Sequence, residues 1–265
     1  MVYRSHRDMA ICHSMPSLKT IVDFLDETLS IHDDWDFPGA KNGLQIENSG
    51  HVKRIAASVD ACAATIEQAV AHHADLLVVH HGLFWSGAQP LVGGVYRKFK
   101  SALDANLAIY SAHLPLDKHP TLGNNALLAR AIGLRKLSPF FEEKGQNLGV
   151  RSHVNISRTE LAARLAKALG SPPILCPAGP DRVRRVGIVT GGAGAELVKA
   201  ANEGVDTFIT GEGPHWSYTA AEELGMNVFY GGHYLTETFG VKAVAELLSK
   251  KFRIPWNFID HPTGL

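Results

Sequence analysis

The stretch "RIAASVDACAATIEQAVAHHADLLVVHHGLFW", residues 54–85, decides the fold class of this chain. Residues 54–60 and 75–82 are short apolar runs that predict buried strands, and residues 63–74 between them have helical spacing. Strands that alternate with helices in this way are typical of α/β proteins with largely parallel sheets. We therefore predict an α/β fold built from strand–helix–strand units.

A second stretch, "RVGIVTGGAGAELVKAANEGVDTFITGEGPHW" (residues 185–216), aligns with the first without a gap. The identical pairs are Arg54/Arg185, Ala64/Ala195, Ala69/Ala200, Asp75/Asp206, Gly82/Gly213 and Trp85/Trp216. In both halves a further strand follows and ends in a histidine with an acid four residues later, within residues 105–117 and 225–237. This pattern predicts an internal duplication that produces two related α/β lobes.

The boundaries of these lobes follow from the position of the two copies. We assign residues 1–134 and 231–265 to the first lobe and residues 135–230 to the second. The remaining helices are expected at residues 17–29, 95–105 and 124–133, and the last of them is closed by Gly133. Ser157 and Glu160 form a capping-box pattern before another helix. Residues 36–47 are expected to be a loop, and the segment 113–117 is not expected to be helical because Pro115 restricts the residue before it.

The composition excludes several classes of protein. The chain has 265 residues, of which 45% are hydrophobic and 20% charged, and its formal net charge is zero. This balance argues against a general nucleic-acid or membrane-surface binder. Residues 1–14 lack the apolar core of a signal peptide, and we expect them to be an extension or a mis-called start. Cys12, Cys62 and Cys176 are scattered and odd in number, which fits a reducing cytoplasm.

Histidines and acids gather where the predicted strands end. His80 and His81 end one strand, His113 follows another with Asp117 four residues later, and the second copy supplies His233 and Glu237. Ligands of open α/β sheets bind at the carboxyl ends of the strands, so these side chains are expected to meet. Imidazoles mixed with carboxylates suit zinc, manganese, iron, cobalt or nickel. The predicted metal ligands are His80, His81, Asp117, His233 and Glu237.

The number of ligands predicts how many ions are bound. Five ligands exceed the three of a typical catalytic zinc site and suit two ions about 3.5–4 Å apart that share bridging carboxylates. Asp117 and Glu237, equivalent in the repeat, are the candidate bridging ligands. Two divalent ions would leave the site positive, so it would attract an anionic or nucleotide-like substrate. A water bound there would be acidified and nucleophilic near neutral pH.

Each of these motifs also has a simpler interpretation. A histidine pair at a strand end is more often part of a solvated loop than a pair of ligands, and only the combination favours a metal site. His113 could be a further ligand, an orienting residue, a proton shuttle or a buried structural histidine. Glu212 occupies the repeat position of His81 and is either a proton-transfer group in the cleft or a capping acid. His72 and His73 are interpreted as surface residues.

Two further features are given structural roles. The segment "VTGGAGAE" (residues 189–196) is interpreted as a tight turn from strand to helix rather than a phosphate site, because it lacks the dinucleotide and Walker patterns. Trp85 and Trp216, matched by the repeat, are expected to pack beside the cleft rather than to react in it.

Taken together, these motifs resemble the Ngg-interacting-factor family of dinuclear metal proteins, whose members are often labelled type 2 GTP cyclohydrolase I homologs. The resemblance covers the chain from about Met15. It rests on "NGLQ" (42–45), "DLLVVHHGLFW" (75–85), "YSAHLPLDKHPTLGNNALLA" (110–129), "TGGAG" (190–194), "TGE" (210–212) and "GGHYLTE" (231–237).

The resemblance implies two intertwined three-layer α/β lobes with two metal ions at their junction, held by the same five residues that the spacing indicates. It also implies a ring-shaped homo-oligomer, commonly a hexamer built from dimers. The short connection at residues 134–147 leaves no room for the inserted domain of many members. The leading hypothesis is a cytoplasmic dinuclear metal-dependent hydrolase, of GTP cyclohydrolase type if the family label applies. The alternative is a metal-binding or regulatory assembly protein without turnover.

Overall fold

The computed structural model describes residues 15–31 and 35–264. In these ranges the strands are β1 (Gly43–Ile46), β2 (Ile55–Asp60), β3 (Leu76–His81), β4 (Ala108–Ser111), β5 (Ser138–Glu143), β6 (Gln146–Ser157), β7 (Ile174–Pro177), β8 (Arg182–Ile188), β9 (Thr207–Thr210), β10 (Asn227–Tyr230) and β11 (Trp256–Phe258). The helices are α1 (Leu18–Leu29), α2 (Ala63–Ala71), α3 (Gly93–Asp104), α4 (Leu114–Asp117), α5 (Asn124–Ala131), α6 (Arg158–Leu169), α7 (Leu197–Asn202), α8 (Trp216–Leu224) and α9 (His233–Phe252), and a 3-10 helix covers Ala193–Glu196. The expected extension at residues 1–14 lies outside the described residues.

The strands form two mixed sheets. The first has the order β1-β4-β3-β2-β11, in which β1 is antiparallel to β4 and the other neighbours are parallel. The second has the order β5-β6-β8-β9-β10-β7, and its central β8, β9 and β10 are parallel while the outer strands are antiparallel. The predicted α/β fold with parallel central strands is confirmed.

Each sheet has helices on both faces, which makes two three-layer units. One face of the first sheet packs on α1 and α9, and the other packs on α2 and α3. The second sheet packs on α5 and α6 on one face and on α7 and α8 on the other. Because α5 precedes the second sheet in the chain and α9 follows it, the two units exchange elements and are intertwined.

The division of the chain into two lobes that the repeat suggested stays a proposal, and α5, which falls in the first lobe, packs on the second sheet. We propose that residues 1–134 and 231–265 build the first lobe and residues 135–230 the second. Both halves contain the same connectivity, since β2, α2 and β3 match β8, α7 and β9 in order and in parallel pairing. In the described ranges, no helix combines the length and apolar character that a membrane span requires.

Two local expectations were wrong. Residues 43–46, expected in a loop, form strand β1, because pairing with β4 at the sheet edge outweighs the local turn signals. The segment after His113 forms the one-turn helix α4 despite Pro115. Proline is tolerated there because it lies in the first turn, where its missing N–H would have no helical acceptor.

Two helix ends are only partly as expected. Helix α2 ends at Ala71, before the predicted end at residue 74, and His73 then adopts a φ of +55°. At the start of α6, Oγ of Ser157 accepts a hydrogen bond from the backbone N–H of Glu160 at 3.0 Å. The carboxylate of Glu160 instead pairs with Arg164, so one half of the capping box is present.

Candidate metal centre

The predicted ligands come together where the two sheets meet. His80 and His81 end β3, and His113 follows β4 and leads into α4, whose last residue is Asp117. His233 is the first residue of α9, which leaves β10 of the second sheet and packs on the first sheet. Glu237 lies one turn further along α9, so it points the same way as His233. Helix α9 therefore places the ligands of the second half against those of the first.

Glu237 is at the centre of the cluster. Its Oε2 lies 3.2 Å from Nε2 of His233 and 3.4 Å from Nε2 of His81, and its Oε1 lies 3.5 Å from Nε2 of His80. Nε2 of His80 is also 3.4 Å from Oδ2 of Asp117. A carboxylate that reaches three imidazoles with two oxygens has the arrangement expected of a bridging ligand.

Among residues 15–31 and 35–264, the potential ligand atoms form three overlapping groups, each with all atoms within 4.8 Å of one another. These groups are His80/His81/His113, His81/His233/Glu237 and His80/Asp117/Glu237. The cluster of histidine, aspartate and glutamate side chains could therefore bind metal. His113 belongs to one of the groups, so its geometry is that of a potential ligand as well as of a neighbouring base.

Each of the four imidazoles is held from outside the cluster through its Nδ1 atom. The partners are the carbonyl of Ala112 for His80 at 2.9 Å, Oδ1 of Asp60 for His81 at 2.9 Å, Oδ1 of Asp36 for His113 at 2.9 Å and Oε1 of Glu212 for His233 at 2.8 Å. Because a carbonyl or carboxylate accepts, each Nδ1 donates, and the neutral ring then keeps its lone pair on Nε2. This is the usual outer arrangement around histidine ligands of metals.

The turn after β8 also contributes to the site. Oδ1 of Asp117 accepts hydrogen bonds from Nδ2 of Asn124 at 2.8 Å and from Oγ1 of Thr190 at 3.4 Å. Gly191 has a φ of +70°, and a side chain there would overlap Oε1 of Glu237. The glycine-rich segment is thus a tight turn, as predicted, and it allows the backbone to approach the central carboxylate.

Burial of the cluster provides a test of whether these residues fit a metal. Only 2% of Glu237 and none of His80 is exposed to solvent. In the described part of the chain, Nε2 of His80 and Oε2 of Glu237 are buried without a hydrogen-bond partner. Buried polar atoms are normally paired, so two buried atoms with converging lone pairs and no hydrogen-bond partner have the chemistry of metal ligands. The residues present therefore fit a metal site.

Protons compete with such a cation. Burial opposes a charged imidazole, yet the carboxylates of Asp117 and Glu237 raise the pKa of His80 well above its ordinary value. Burial also opposes the charge on His233, but Glu237 and Glu212 raise its pKa to about 9. Burial would raise the pKa of Glu237, but the adjacent imidazoles hold it well below its ordinary value. Without an ion, protons supply the positive charge that the carboxylates require.

His113 differs from these histidines in its electrostatics. Burial lowers the pKa of its imidazole, although the hydrogen bond to Asp36 favours the charged form. Asp36 is itself buried, which opposes its charge, but His113 and Asn42 lower its pKa. His113 is therefore a neutral base near pH 7, with a carboxylate that would stabilise it once protonated.

The described residues line two cavities that border the cluster. The larger has a volume of about 700 Å³ and contains His81, His113, Asp117, His233 and Glu237 in its wall. The smaller has a volume of about 190 Å³ and lies against Asp60, His81, Glu212 and His233. A molecule in the larger cavity would have direct access to the cluster.

The structure also locates the remaining sequence-predicted residues. Glu212 lies at the edge of the cluster, where it holds His233, and His72 and His73 are exposed as expected. Trp85 lines the larger cavity, but the prediction for Trp216 was wrong, since its side chain is 53% exposed and does not line that cavity. Trp216 is instead the first residue of α8.

Sequence reasoning missed two of the residues that hold the ligands. Asp60 ends β2 in direct register with His81 on β3, so an acid at the end of the neighbouring strand was a usable signal. Asp36 lies in the irregular segment before β1 and reaches His113 only through the folding of that segment. Its sequence position carried no signal.

A model of the family described as Duf34/NIF3 (NGG1p interacting factor 3) matches residues 16–263. The chain belongs to the Duf34/NIF3 family. The resemblance that the motifs indicated is thereby confirmed over nearly the whole chain.

Relatives of this Duf34/NIF3 protein are similar in sequence and structure. A "GTP cyclohydrolase 1 type 2 homolog" of Deinococcus radiodurans is 41% identical over 226 residues, which cover 84% of this chain and 86% of the relative. A protein of the same name from Archaeoglobus fulgidus is 41% identical over 249 residues, which cover 94% of this chain and 100% of the relative. A crystal structure from Thermus thermophilus matches with a TM-score of 0.86 at 39% identity, covering 94% of this chain and 100% of that one.

Proposed function

We propose that this protein is a dinuclear metal-dependent hydrolase that acts on an anionic or nucleotide-like substrate. His80, His81, Asp117, His233 and Glu237 hold two divalent ions in this proposal, and zinc, manganese, iron, cobalt and nickel all suit the ligand set. The observation that carries the proposal is the position of Glu237, which reaches three imidazoles while its Oε2 atom is buried without a hydrogen bond. A single tetrahedral ion would leave part of this donor set unused.

The charge of the site selects the substrate. The two carboxylates compensate two of the four positive charges that two divalent ions bring, so the loaded site attracts an anion. When bound, the ions would supply Lewis acidity and lower the pKa of a coordinated water. The protein supplies the orientation, because the imidazoles are fixed through Nδ1 and Asp117 is fixed by Asn124.

We assign proton transfer to His113 and Glu212. His113 borders both the cluster and the larger cavity, and its neutral imidazole can accept a proton that Asp36 then helps to stabilise. Glu212 is partly exposed and lies against the smaller cavity, so its carboxylate can exchange protons with solvent while it holds His233. His113 would thus transfer protons at the larger cavity and Glu212 at the smaller one.

Hydrolysis of the guanine ring of GTP is one candidate reaction. It is supported by the names of the relatives from Deinococcus radiodurans and Archaeoglobus fulgidus. In that reaction one water would add to C8 and open the five-membered ring to a formamide, and a second water would hydrolyse the formamide to release formate. A metal-binding or regulatory protein without turnover is the competing proposal, because it requires the same ligands.

We further propose a cytoplasmic homo-oligomer, with a ring-shaped hexamer as its form. An oligomer is supported by large apolar side chains on and beside α3, where Val92 is 68% exposed and Leu103 is 60% exposed. A reducing compartment is supported by Cys62 and Cys176, which are free cysteines.

Metal analysis combined with an activity panel tests the proposal. The untagged protein would be reconstituted with each ion and assayed with GTP, other nucleotides and phosphoesters, alongside His81→Ala and Glu237→Ala. His72→Ala is the matched control, since His72 is an exposed histidine outside the cluster. We expect two ions per chain and metal-dependent turnover in the wild type and control only. Fewer than one ion per chain would contradict the dinuclear site, and two ions without turnover would favour the regulatory protein.

A further inference from the structure

The larger cavity has an aromatic wall, formed by Phe37 and Trp85, that metal binding alone does not explain. The indole of Trp85 lies 4.7 Å from the ring of His113 and 5.7 Å from the ring of His81, measured between centroids. Phe37 lies 6.4 Å from Trp85 and 6.1 Å from His113. The aromatic wall is therefore in contact with the imidazoles of the metal centre.

No described ring is stacked flat on Trp85. Its interplanar angles are 83° with His113, 78° with His81 and 52° with Phe37. The side chain of Trp85 is 38% exposed and that of Phe37 is 56% exposed. The ammonium of Lys144 lies 5.6 Å from the centroid of Phe37, so it is the indole of Trp85 that offers an open stacking surface for a flat ligand.

The backbone holds this wall in place before any ligand binds. A Cβ on Gly39 would lie 2.8 Å from the carbonyl oxygen of Trp85, so the segment that carries Phe37 packs directly on the segment that carries Trp85. Oε1 of Gln45 accepts a hydrogen bond from the backbone N–H of Leu83 at 2.6 Å, which ties down the chain after β3. A surface that is already ordered loses little entropy when a ligand binds.

The rest of the cavity is also largely apolar. The second lobe contributes Phe141, Leu148 and Val189, and the first contributes Leu114. A volume of about 700 Å³ is in the range of small-molecule pockets and exceeds what a phosphate group or a water molecule requires. The cavity therefore fits a ligand with a substantial flat apolar part next to the cluster.

We propose that the substrate carries a planar aromatic or heteroaromatic ring that stacks on Trp85 beside Phe37. Because Trp85 touches the imidazoles, the reacting group lies in the ring or directly on it. Purine bases and aryl esters share this chemistry, whereas small alkyl phosphates lack it. This inference rests on the proposed function, because only a substrate that reacts at the metal ions has to point its reacting group at the cluster.

Binding to the metal-loaded protein tests the inference without requiring turnover. Calorimetry would compare phenylphosphonate with methylphosphonate, and guanosine monophosphate with ribose 5-phosphate. We expect at least one ring-bearing ligand to bind about tenfold more tightly than its ring-free partner, as stacking on an aromatic side chain typically provides. A preference in the phosphonate pair would point to an aryl ester as the substrate, and a preference in the second pair would point to a purine.

Variants then locate the preference. Trp85→Ala should reduce the ratio of affinities towards one, and Trp85→Phe should retain most of it. Trp216→Ala is the matched control, because Trp216 is the repeat counterpart of Trp85 but lies outside the cavity. Metal content shows whether each variant remains intact, and Phe37→Ala replaces Trp85→Ala if the latter does not fold.

The outcomes separate this inference from the proposed function. Equal affinities within both pairs, no binding of any of the four probes, or an unchanged ratio in Trp85→Ala would overturn it. A ring preference without hydrolysis of any ring compound would uphold the inference and contradict the hydrolase. Equal hydrolysis of methyl and phenyl phosphate, together with equal affinities within both pairs, would uphold the hydrolase and overturn the inference.

Discussion

Replacement of Gly191 by alanine is the sharpest test of the metal centre. A Cβ at this position would overlap Oε1 of Glu237 and would lie 3.4 Å from Nε2 of His233. Ordinary contact requires about 3.5 Å between heavy atoms, so the carboxylate has to move by about 1 Å. Glu237 is buried on α9 and cannot move away freely. The substitution therefore displaces the central ligand without removing any ligand atom.

The size of the effect follows from two contributions. Gly191 has a φ of +70°, and alanine in this left-handed conformation costs about 1 kcal/mol of folding free energy. Overpacking against Glu237 adds about 1–3 kcal/mol. A ligand misplaced by about 1 Å is expected to weaken metal binding by about 100-fold, which corresponds to about 2.7 kcal/mol.

A second glycine separates these contributions. Gly170 has a φ of +74°, and a Cβ added to it would meet no atom within 4 Å, so Gly170→Ala carries the backbone strain alone. Chemical denaturation of the metal-free proteins would measure stability, and calorimetric titration with zinc or manganese would measure affinity. We expect both variants to lose stability but only Gly191→Ala to lose metal affinity. If Gly191→Ala binds metal like the wild type and is no less stable than Gly170→Ala, the assigned role of Glu237 is wrong.

Three further predictions concern the ligands and the groups that hold them. His80→Ala should abolish binding of at least one ion, whereas exposed His72→Ala should bind metal normally, as measured by metal analysis after dialysis. Asp60→Asn should weaken metal binding about 10–100-fold by loosening His81, and an affinity within about twofold of wild type would contradict that role. Because the pKa of His233 is raised to about 9 and the ligand must be deprotonated, metal uptake at pH 7 should release protons, and affinity should rise with pH up to about 9. Calorimetry in buffers of different ionisation enthalpy measures this release, and its absence would contradict metal binding by a His233 that is protonated at pH 7.

Much of the fold was predictable because its central strands are buried and parallel. Runs such as residues 54–60 and 75–82 are continuously apolar, and the helix between them has clear periodicity, so both halves could be recognised locally. The two wrong predictions concern an edge strand and a short segment outside the central strands. Strand β1 depends on a partner about 65 residues later in the chain, and the turn at Pro115 depends on packing that the local rule ignores.

The sequence by itself determined which residues could bind metal. Parallel strands end at the same edge of a sheet, so a histidine or acid after each strand is enough to predict a shared site. His80, His81 and Asp117 follow strands of the first half and His233 and Glu237 follow a strand of the second, and the structure brings all five into one cluster.

Only the tertiary structure decided how these ligands are oriented and what can reach them. The crossing of α9 from the second sheet to the first joins the two halves of the site, and it depends on packing between distant segments. Asp36 reaches His113 across 77 residues, and Phe37 reaches Trp85 through a loop that has no periodic signal. Such contacts are set by long-range packing of irregular backbone. Local sequence preference therefore identifies the candidate ligands, while tertiary packing selects their hydrogen-bond partners and forms the aromatic cavity.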